Sequence, residues 1–382
     1  MLKNHQAARL EDNVNRGQLY LSMELSRKKW KLAFSDGKVL RARVVTIGAR
    51  DWEALRREIQ KARERFGVDE SVRVQSCYEA GREGFWVHRA LEAMGIENLV
   101  VDAASIDVKR RKRAKTDRKD AEQLVRQLIR YSRGERDAWS VVRVPTVEAE
   151  QARQLHRDME VLKRERQQHR VRIQSLLFTQ GLDVMVTPKL IKQLDQLRCW
   201  DRQPLPQALI ERIRREYHRY ETVEQELQML KKQQEAMLKS DDKPSMKKVV
   251  KLQRLSGIGM DSSWVFVMEF FGWRQFRNRR EVGGALGLTP MPYQSGDSLH
   301  EQGISHAGNR RVRTMSIEIA WSWLRYQPQS RLSQWYRKRF GSAGPRMRRI
   351  GIVAMARRLM VDLWRWVEFD QLPEGARLKP VA

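Results

Sequence analysis

The sequence predicts an α/β amino-terminal domain, a long α-helical middle with the pattern of a coiled coil, and a mostly α-helical carboxy-terminal domain. Three features of the 382 residues carry that prediction. Strand and helix patterns alternate through the first third, two apolar stripes at helical spacing fill the middle, and glycine-punctuated helical patterns follow residue 250. The implied domains span residues 18–140, 147–240 and 250–370.

LYLSMELS (19–26) and WKLAFS (30–35) alternate apolar and polar residues as half-buried strands do. DGK (36–38) is a turn signal, and VLRARVV after it supplies a third strand. DWEALRREIQKARERF (51–66) spaces its apolar residues as a helix, VRVQSCYEA (72–80) reads as a strand and GFWVHRALEAMG (84–95) as a helix. A short apolar strand, ENLVVDAA, precedes a basic run and the helix KTDRKDAEQLVRQLI. Three strands, helix, strand, helix, strand, helix is the order of one central sheet covered on its faces.

From Val147 to about Gly181, Leu155, Met159, Leu162, Ile173 and Leu176 form one seam, interrupted by Arg166 and His169. After CWDRQPLP a second segment carries Tyr220, Val223, Leu227, Leu230 and Met237 at spacings of three and four. Two antiparallel helices of one chain, or a coiled coil that pairs subunits, both satisfy the pattern. His156 and His169 read as helix-surface residues, since no partner acids stand at metal-ligand spacing. DDKPSMKK (241–248) reads as a linker. Beyond it, Gly257-Ile258-Gly259 lies between two apolar helical patterns, a turn that can offer backbone N–H groups to a phosphate. IGIVAMARRLMVDLWRWVEF is a packing helix, and the tail after Pro373 is expected to be loose.

Lysine and arginine total 75 against 47 acids, a net charge of +28. Such a surface attracts polyanions, with nucleic acid the first candidate. Two cysteines, Cys77 and Cys199, are too few for a zinc site and suit a reducing compartment. The N-terminus lacks a signal-peptide core, and no run of apolar residues is long enough to span a bilayer. The expectation is a soluble, cytoplasmic, nucleoid-associated protein with no membrane partner.

The acids fall at informative places. Glu24 lies in the first strand, Glu79 ends the fourth, and Asp117 and Asp120 begin the last helix of the domain, directly after the basic run. Residues three apart on a helix share a face, so Asp117 and Asp120 can reach one point. If the strands carrying Glu24 and Glu79 are neighbours, four carboxylates converge at one edge of the sheet. Crowded carboxylates repel, and a hard divalent cation such as Mg²⁺ relieves them. The plainer reading is a solvated strand glutamate and an aspartate pair that complements a helix dipole.

On YLSMELSRKKWKLAF, CYEAGREGFWVHRAL and KTDRKDAEQLVRQL, the first domain resembles the RuvC-like, RNase H-like domain of the DEDD-type insertion-sequence transposases, relatives of the pilin-inversion recombinases. The resemblance implies a catalytic, Mg²⁺-binding set of Glu24, Glu79, Asp117 and Asp120. It also exposes one departure, since the family has aspartate at the first position and this chain has Glu24, one methylene longer. Asp36, in the DGK turn, is a poorer substitute.

GALGLTPMPYQSGDSLHEQGISHAGNRRVRTMSIEIAW (284–321) resembles the carboxy-terminal domain of the same family. There a serine is the recombination nucleophile, and the match falls on Ser295 rather than on its neighbours Ser298 and Ser305. An isolated Gln-Ser-Gly is otherwise an ordinary turn. Arg310, Arg311 and Arg313, with Arg110, Arg111, Lys112, Arg113 and Lys115 of the earlier basic run, are the candidate nucleic-acid contacts. Tyr326 and Tyr336 are interleaved with Trp321, Trp323 and Trp335, and most of these tryptophans are expected in the core.

The function implied is strand cleavage and rejoining of donor and target DNA through a 5′-phosphoserine. The family further implies a homo-oligomer, a dimer or a tetramer, and an element-encoded guide called a bridge RNA. The acids and the serine are far apart in sequence, which allows an active site assembled between subunits. A hydrolytic junction nuclease and a non-catalytic nucleic-acid-binding protein are the rival readings.

Overall fold

Alternation along the first strand sets the layers of the amino-terminal unit. The computed structural model describes residues 18–38, 41–106, 117–240, 242–295, 298–306 and 308–380, and the chain divides into two compact units after Val144. In the first unit, β1 (Leu19–Leu25), β2 (Lys29–Ser35) and β3 (Arg43–Gly48) form an antiparallel meander. There follow α1 (Trp52–Phe66), β4 (Val74–Glu79), α2 (Trp86–Ala93), β5 (Glu97–Val101) and α3 (Asp117–Ser132). The strand order is β3-β2-β1-β4-β5, with β1, β4 and β5 parallel. This is the mixed α/β arrangement expected, with β3 displaced toward the carboxyl side of VLRARVV.

Leu19, Leu21 and Met23 pack with Leu55 and Ala62 of α1 and Val87 and Leu91 of α2 on one face. The rings of Trp30, Trp52 and Trp86 meet there at centroid distances of 5.2 to 6.0 Å. Tyr20, Ala33, Cys77 and Val101 pack with Ala121, Leu124, Val125 and Leu128 of α3 on the other. α1 starts where the Asp51 carboxylate accepts from Ala54 N at 2.8 Å and stops at Gly67, whose φ of +62° suits glycine.

Both cysteines are free. Cys77 is fully buried, and burial pushes its thiol well above the ordinary range, whereas Cys199 is partly exposed. A thiol reagent near pH 8 is therefore expected to modify Cys199 alone in the folded protein and both cysteines in denaturant. Labelling of Cys77 under native conditions would mean that α3 opens readily.

The second unit is mostly helical. α4 (Val147–Gln151) leads into α5 (Gln154–Phe178), and α6 (Pro188–Lys192) and α7 (Gln207–Ser240) follow. α5 and α7 pair antiparallel within one chain, since Arg166 bonds Glu224 while His169 and Arg172 bond Glu216. Ile173, Leu177, Leu190, Leu194, Ile210 and Ile213 fill the far end of the pair. Next come α8 (Pro244–Gln253), α9 (Met260–Phe266), a π-helical turn (Val267–Phe271) and α10 (Arg279–Leu286). β6 (Pro290–Ser295) and β7 (Ser298–Ile304) make an antiparallel pair that the sequence patterns do not announce. α11 (Arg310–Tyr326), α12 (Arg331–Phe340) and α13 (Pro345–Phe369) complete the unit around Trp264, Phe266, Phe270, Trp323, Leu359 and Leu363. Among the described residues no helix is long and apolar enough to cross a membrane.

Several expectations need correction. DDKPSMKK is mostly helix, because Pro244 occupies the first turn of α8, where its missing N–H costs nothing. The tail is tied down: Leu378 bridges Leu255, Gln327 Nε2 donates to Arg377 O at 2.8 Å, and Lys379 Nζ donates to Ile258 O at 2.8 Å. His156 is buried and His169 nearly so, each bonded to a glutamate distant in sequence. The turn at Gly257 faces inward, its carbonyl accepting from Ser322 Oγ at 2.9 Å, while Gly259 N donates to Ser262 Oγ. Ile258 N likewise donates to Leu255 O at 3.2 Å, so two of the turn's N–H groups are committed to the fold. Trp323 and Tyr336 are core residues, whereas Trp321 and Tyr326 are about half exposed.

Candidate active site

Strand register decides whether the acids of the first unit can meet. β1 and β4 pair in parallel from Leu19–Val74 to Met23–Tyr78, so the next position sets Glu24 beside Glu79 at the carboxyl ends of both strands. Neighbouring strands put their backbones about 5 Å apart. Side chains alternate, so Glu24 shares the face of Tyr20 and Ser22, and Glu79 that of Cys77, which is the face covered by α3.

The direction of α3 follows from its contacts. Ser22 Oγ donates to Ala121 O at 2.6 Å, Cys77 Sγ lies 4.0 Å from Leu124 O, and Ser132 Oγ bonds the Gln75 side chain. α3 therefore runs against β1 and β4 and starts over their carboxyl ends. Asp117 lies one turn before Ala121 and Asp120 one turn before Leu124, a rise of about 6 Å along the helix. Two strand residues, from Ser22 to Glu24 or Cys77 to Glu79, cover about the same height. The four acidic positions accordingly belong to one corner of the unit. Glu79 is exposed, Glu24 and Asp120 are half-buried, and Asp117 is described through its backbone alone.

Asp36 is excluded by direction. It follows β2, which runs antiparallel to β1, so it sits at the opposite end of the sheet, where its carboxylate accepts from Lys38 N at 3.0 Å. Lys31 is an addition the sequence did not reveal. It is the β2 partner of Glu24, so a basic side chain flanks the glutamate on the side away from Glu79. Only the β1–β2 register, a tertiary fact, singles it out.

An all-carboxylate set of oxygen donors fits a hard divalent cation and no soft one. Among the described residues no three His, Cys, Asp or Glu side chains are grouped closely enough to hold a metal ion; the Asp117 carboxylate is not among them. Arg110, Arg111, Lys112, Arg113 and Lys115 lie outside the described residues.

In the second unit Ser295 ends β6 and pairs with Ser298, the first residue of β7. Of Ser295 too, the backbone alone is described. The base of this strand pair is clamped, with Ser305 N donating to Thr289 O at 2.9 Å and His306 N to Gly287 O at 3.2 Å. Gly308 follows at φ +77°, and a Cβ there would fall 2.0 Å from Ala285 O, so no other residue fits. Asn309 then caps α11, its Oδ1 accepting from Arg311 N at 2.9 Å and Val312 N at 3.4 Å.

The other end of the Asn309 amide reaches a residue the sequence reading missed. Its Nδ2 donates to Glu269 Oε2 at 2.7 Å. Arg157 donates to both oxygens of Glu269, at 2.7 and 3.0 Å, and His156 Nε2 bonds Oε1 at 2.9 Å. Glu269 is fully buried in the π-helical turn. Burial alone would raise its carboxyl, but the bonds and charges of His156 and Arg157 override that and hold it far below the ordinary carboxylate range. The signal was a lone acid inside the apolar run WVFVMEFFGW.

The three arginines after Asn309 part company. Arg311 Nε donates to Glu160 Oε2 of α5 at 2.6 Å, and Arg313 Nη1 to His306 O at 3.0 Å. Arg310 is exposed. Two of the three thus hold the motif together, which leaves Arg310 the most open to a phosphate.

Residues 250–334 match the family model described as Transposase IS116/IS110/IS902 family. Over 96% of its length, the chain is 38% identical to a Sinorhizobium fredii protein, "Putative transposase y4rJ", of which it covers 96%. It is 24% identical over half its length to the transposase for insertion sequence element IS1328 of Yersinia enterocolitica, covering 56% of that protein.

Proposed function

This chain belongs to the IS116/IS110/IS902 family of transposases, and from that premise we propose that it cuts and rejoins DNA strands for an insertion sequence through a covalent serine intermediate. The amino-terminal unit acts in this reading as an RNase H-like, RuvC-like catalytic domain. The observation that carries it is the parallel register setting Glu24 beside Glu79 under the start of α3, the helix that bears Asp117 and Asp120.

Glu24, Glu79, Asp117 and Asp120 would hold Mg²⁺, which when bound would neutralise charge that builds on the scissile phosphodiester, and Lys31 would offset part of the carboxylates' charge. Ser295 Oγ attacks the phosphorus of a DNA phosphodiester. A bond from Oγ to phosphorus forms as the bond to the 3′ oxygen breaks, the serine proton is released, and the departing 3′ oxygen takes up a proton as a hydroxyl. The product is a 5′-phosphoserine, and attack by the 3′-hydroxyl of another strand reverses the chemistry and joins the ends. An element-encoded guide RNA that pairs with donor and target DNA, and a homo-oligomer of the chain, complete the proposal. The net charge of +28 supports polyanionic partners of that size.

The test uses protein purified with its RNA from cells that carry the whole element, incubated with Mg²⁺ and end-labelled DNA of the element's junctions. Protein-linked DNA that forms with the wild type and not with Ser295→Ala is the expected result. Free cleaved ends from both proteins would replace the proposal with a hydrolytic nuclease. Retarded but intact DNA would replace it with binding alone.

A further inference from the structure

Between Glu318 and Asp362 the sequence contains no acidic residue, and that interval spans the turn joining α12 to α13. Arg337, Lys338 and Arg339 occupy the last turn of α12, Arg346 and Arg348 the first turn of α13, and Arg349 the position directly after it. All six are exposed. None makes an ion pair among the described residues.

The elbow that displays them is stiff. Phe340 packs on Gly351 so closely that a Cβ there would lie 2.5 Å from the ring. Tyr336 Oη donates to Arg348 O at 3.2 Å, and Arg337 donates to the carbonyls of Pro328 and Leu324. The Trp335 and Tyr336 rings both pack on the Phe340 ring, the first edge-to-face and the second tilted, with the Arg358 guanidinium 4.0 Å from the Trp335 ring centroid.

This placement of charge is unfavourable in the free protein. The amino-terminal end of a helix carries positive dipole and unpaired N–H groups, so acids belong there and cations do not. α13 instead starts at Gly344 with no side-chain cap and has two arginines in its first turn and a third directly after it. A bound polyanion reverses the sign of every one of these terms. It meets the six cations and the open N–H groups together, on a scaffold that needs no reordering.

We infer, resting on the proposed action on DNA, that the α12–α13 elbow is a docking surface for the phosphodiester backbone of duplex DNA. It belongs to the second unit, away in sequence from the carboxylates, and it does not depend on the serine chemistry. A second copy of the chain is disfavoured as the occupant, because a protein of net charge +28 offers little acidic surface.

The test compares a triple variant, Lys338→Gln with Arg346→Gln and Arg349→Gln, against a control of equal charge change on exposed positions of α7, Arg212→Gln with Arg215→Gln and Lys232→Gln. Binding to matched duplex DNA and duplex RNA of about 30 base pairs is measured across roughly 50 to 300 mM salt. Each lost phosphate contact lowers the salt slope by about 0.9 on DNA, so the elbow variant is expected to lose about 2 to 3 units of slope and at least about tenfold in affinity. The control should stay within about threefold of wild type with its slope unchanged. Loss on DNA supports the inference, and loss confined to RNA overturns it. Equal losses in the two variants, or an unchanged slope in the elbow variant, overturn it.

Discussion

Asp120→Ala is expected to bind DNA within about threefold of wild type yet form protein-linked DNA at least about 10³-fold more slowly, a barrier increase of roughly 4 kcal/mol. Asp120 is half-buried near the start of α3, so its truncation removes little packing. A substitution there should cost within about 0.5 kcal/mol of stability. Its proposed work lies in the transition state, where negative charge on the phosphodiester grows and a carboxylate-held cation counts most. Asp120→Asn keeps the shape and loses the charge, so it should fail as badly as Asp120→Ala. A rate within tenfold of wild type in either variant, at saturating Mg²⁺, would remove Asp120 from the catalytic set and with it the corner built on Glu24 and Glu79. A fall in DNA binding as large as the fall in rate would instead make Asp120 a folding residue.

How much of that corner was legible in the sequence depended on the distance over which each element is decided. The strands of LYLSMELS and WKLAFS could be read because alternation is local, and α1 because Asp51, the apolar spacing and Gly67 all lie within one stretch. That Glu24 and Glu79 stand side by side could be stated only as a condition, since β1 and β4 are about fifty residues apart and their pairing is a tertiary event. The same limit hid Lys31, which looks like any polar strand residue until β2 is registered against β1. The tail was misread for a related reason. Its polar, proline-flanked sequence resembles a free end, and nothing local reveals that Gln327 and Leu255 hold it. His156 was misread because a histidine among charged residues on a helix signals surface, and its buried partner lies 113 residues away.

That partner supports the second large effect. Glu269→Ala is expected to destabilise the second unit by about 3 to 5 kcal/mol, because it removes the carboxylate that buried His156 and half-buried Arg157 share. It also strips Asn309 of one bond at the point where α11 is capped. For a chain of two units no single unfolding free energy is defined, so the measurement is the urea midpoint of the transition reported by the tryptophans of the second unit, among which Trp264 and Trp323 lie in this core. At about 2 to 3 kcal/mol per molar urea the midpoint should fall by roughly 1 to 2 M.

The pH dependence has a definite sign. The folded carboxyl of Glu269 lies far below its unfolded value, so the unfolded chain takes up the proton first as acid is added. Its contribution is complete above the unfolded value of about 4.3 and is lost as pH falls below it. The gap between wild type and Glu269→Gln should therefore be widest near neutrality and narrow steadily under about pH 4. A gap that stays constant from neutral to acid pH would mean that size and hydrogen bonding, rather than charge, account for the stabilisation by Glu269. A midpoint shift below about 0.3 M in Glu269→Ala would go further and show that the π-helical turn, α5 and the cap of α11 hold together without this carboxylate.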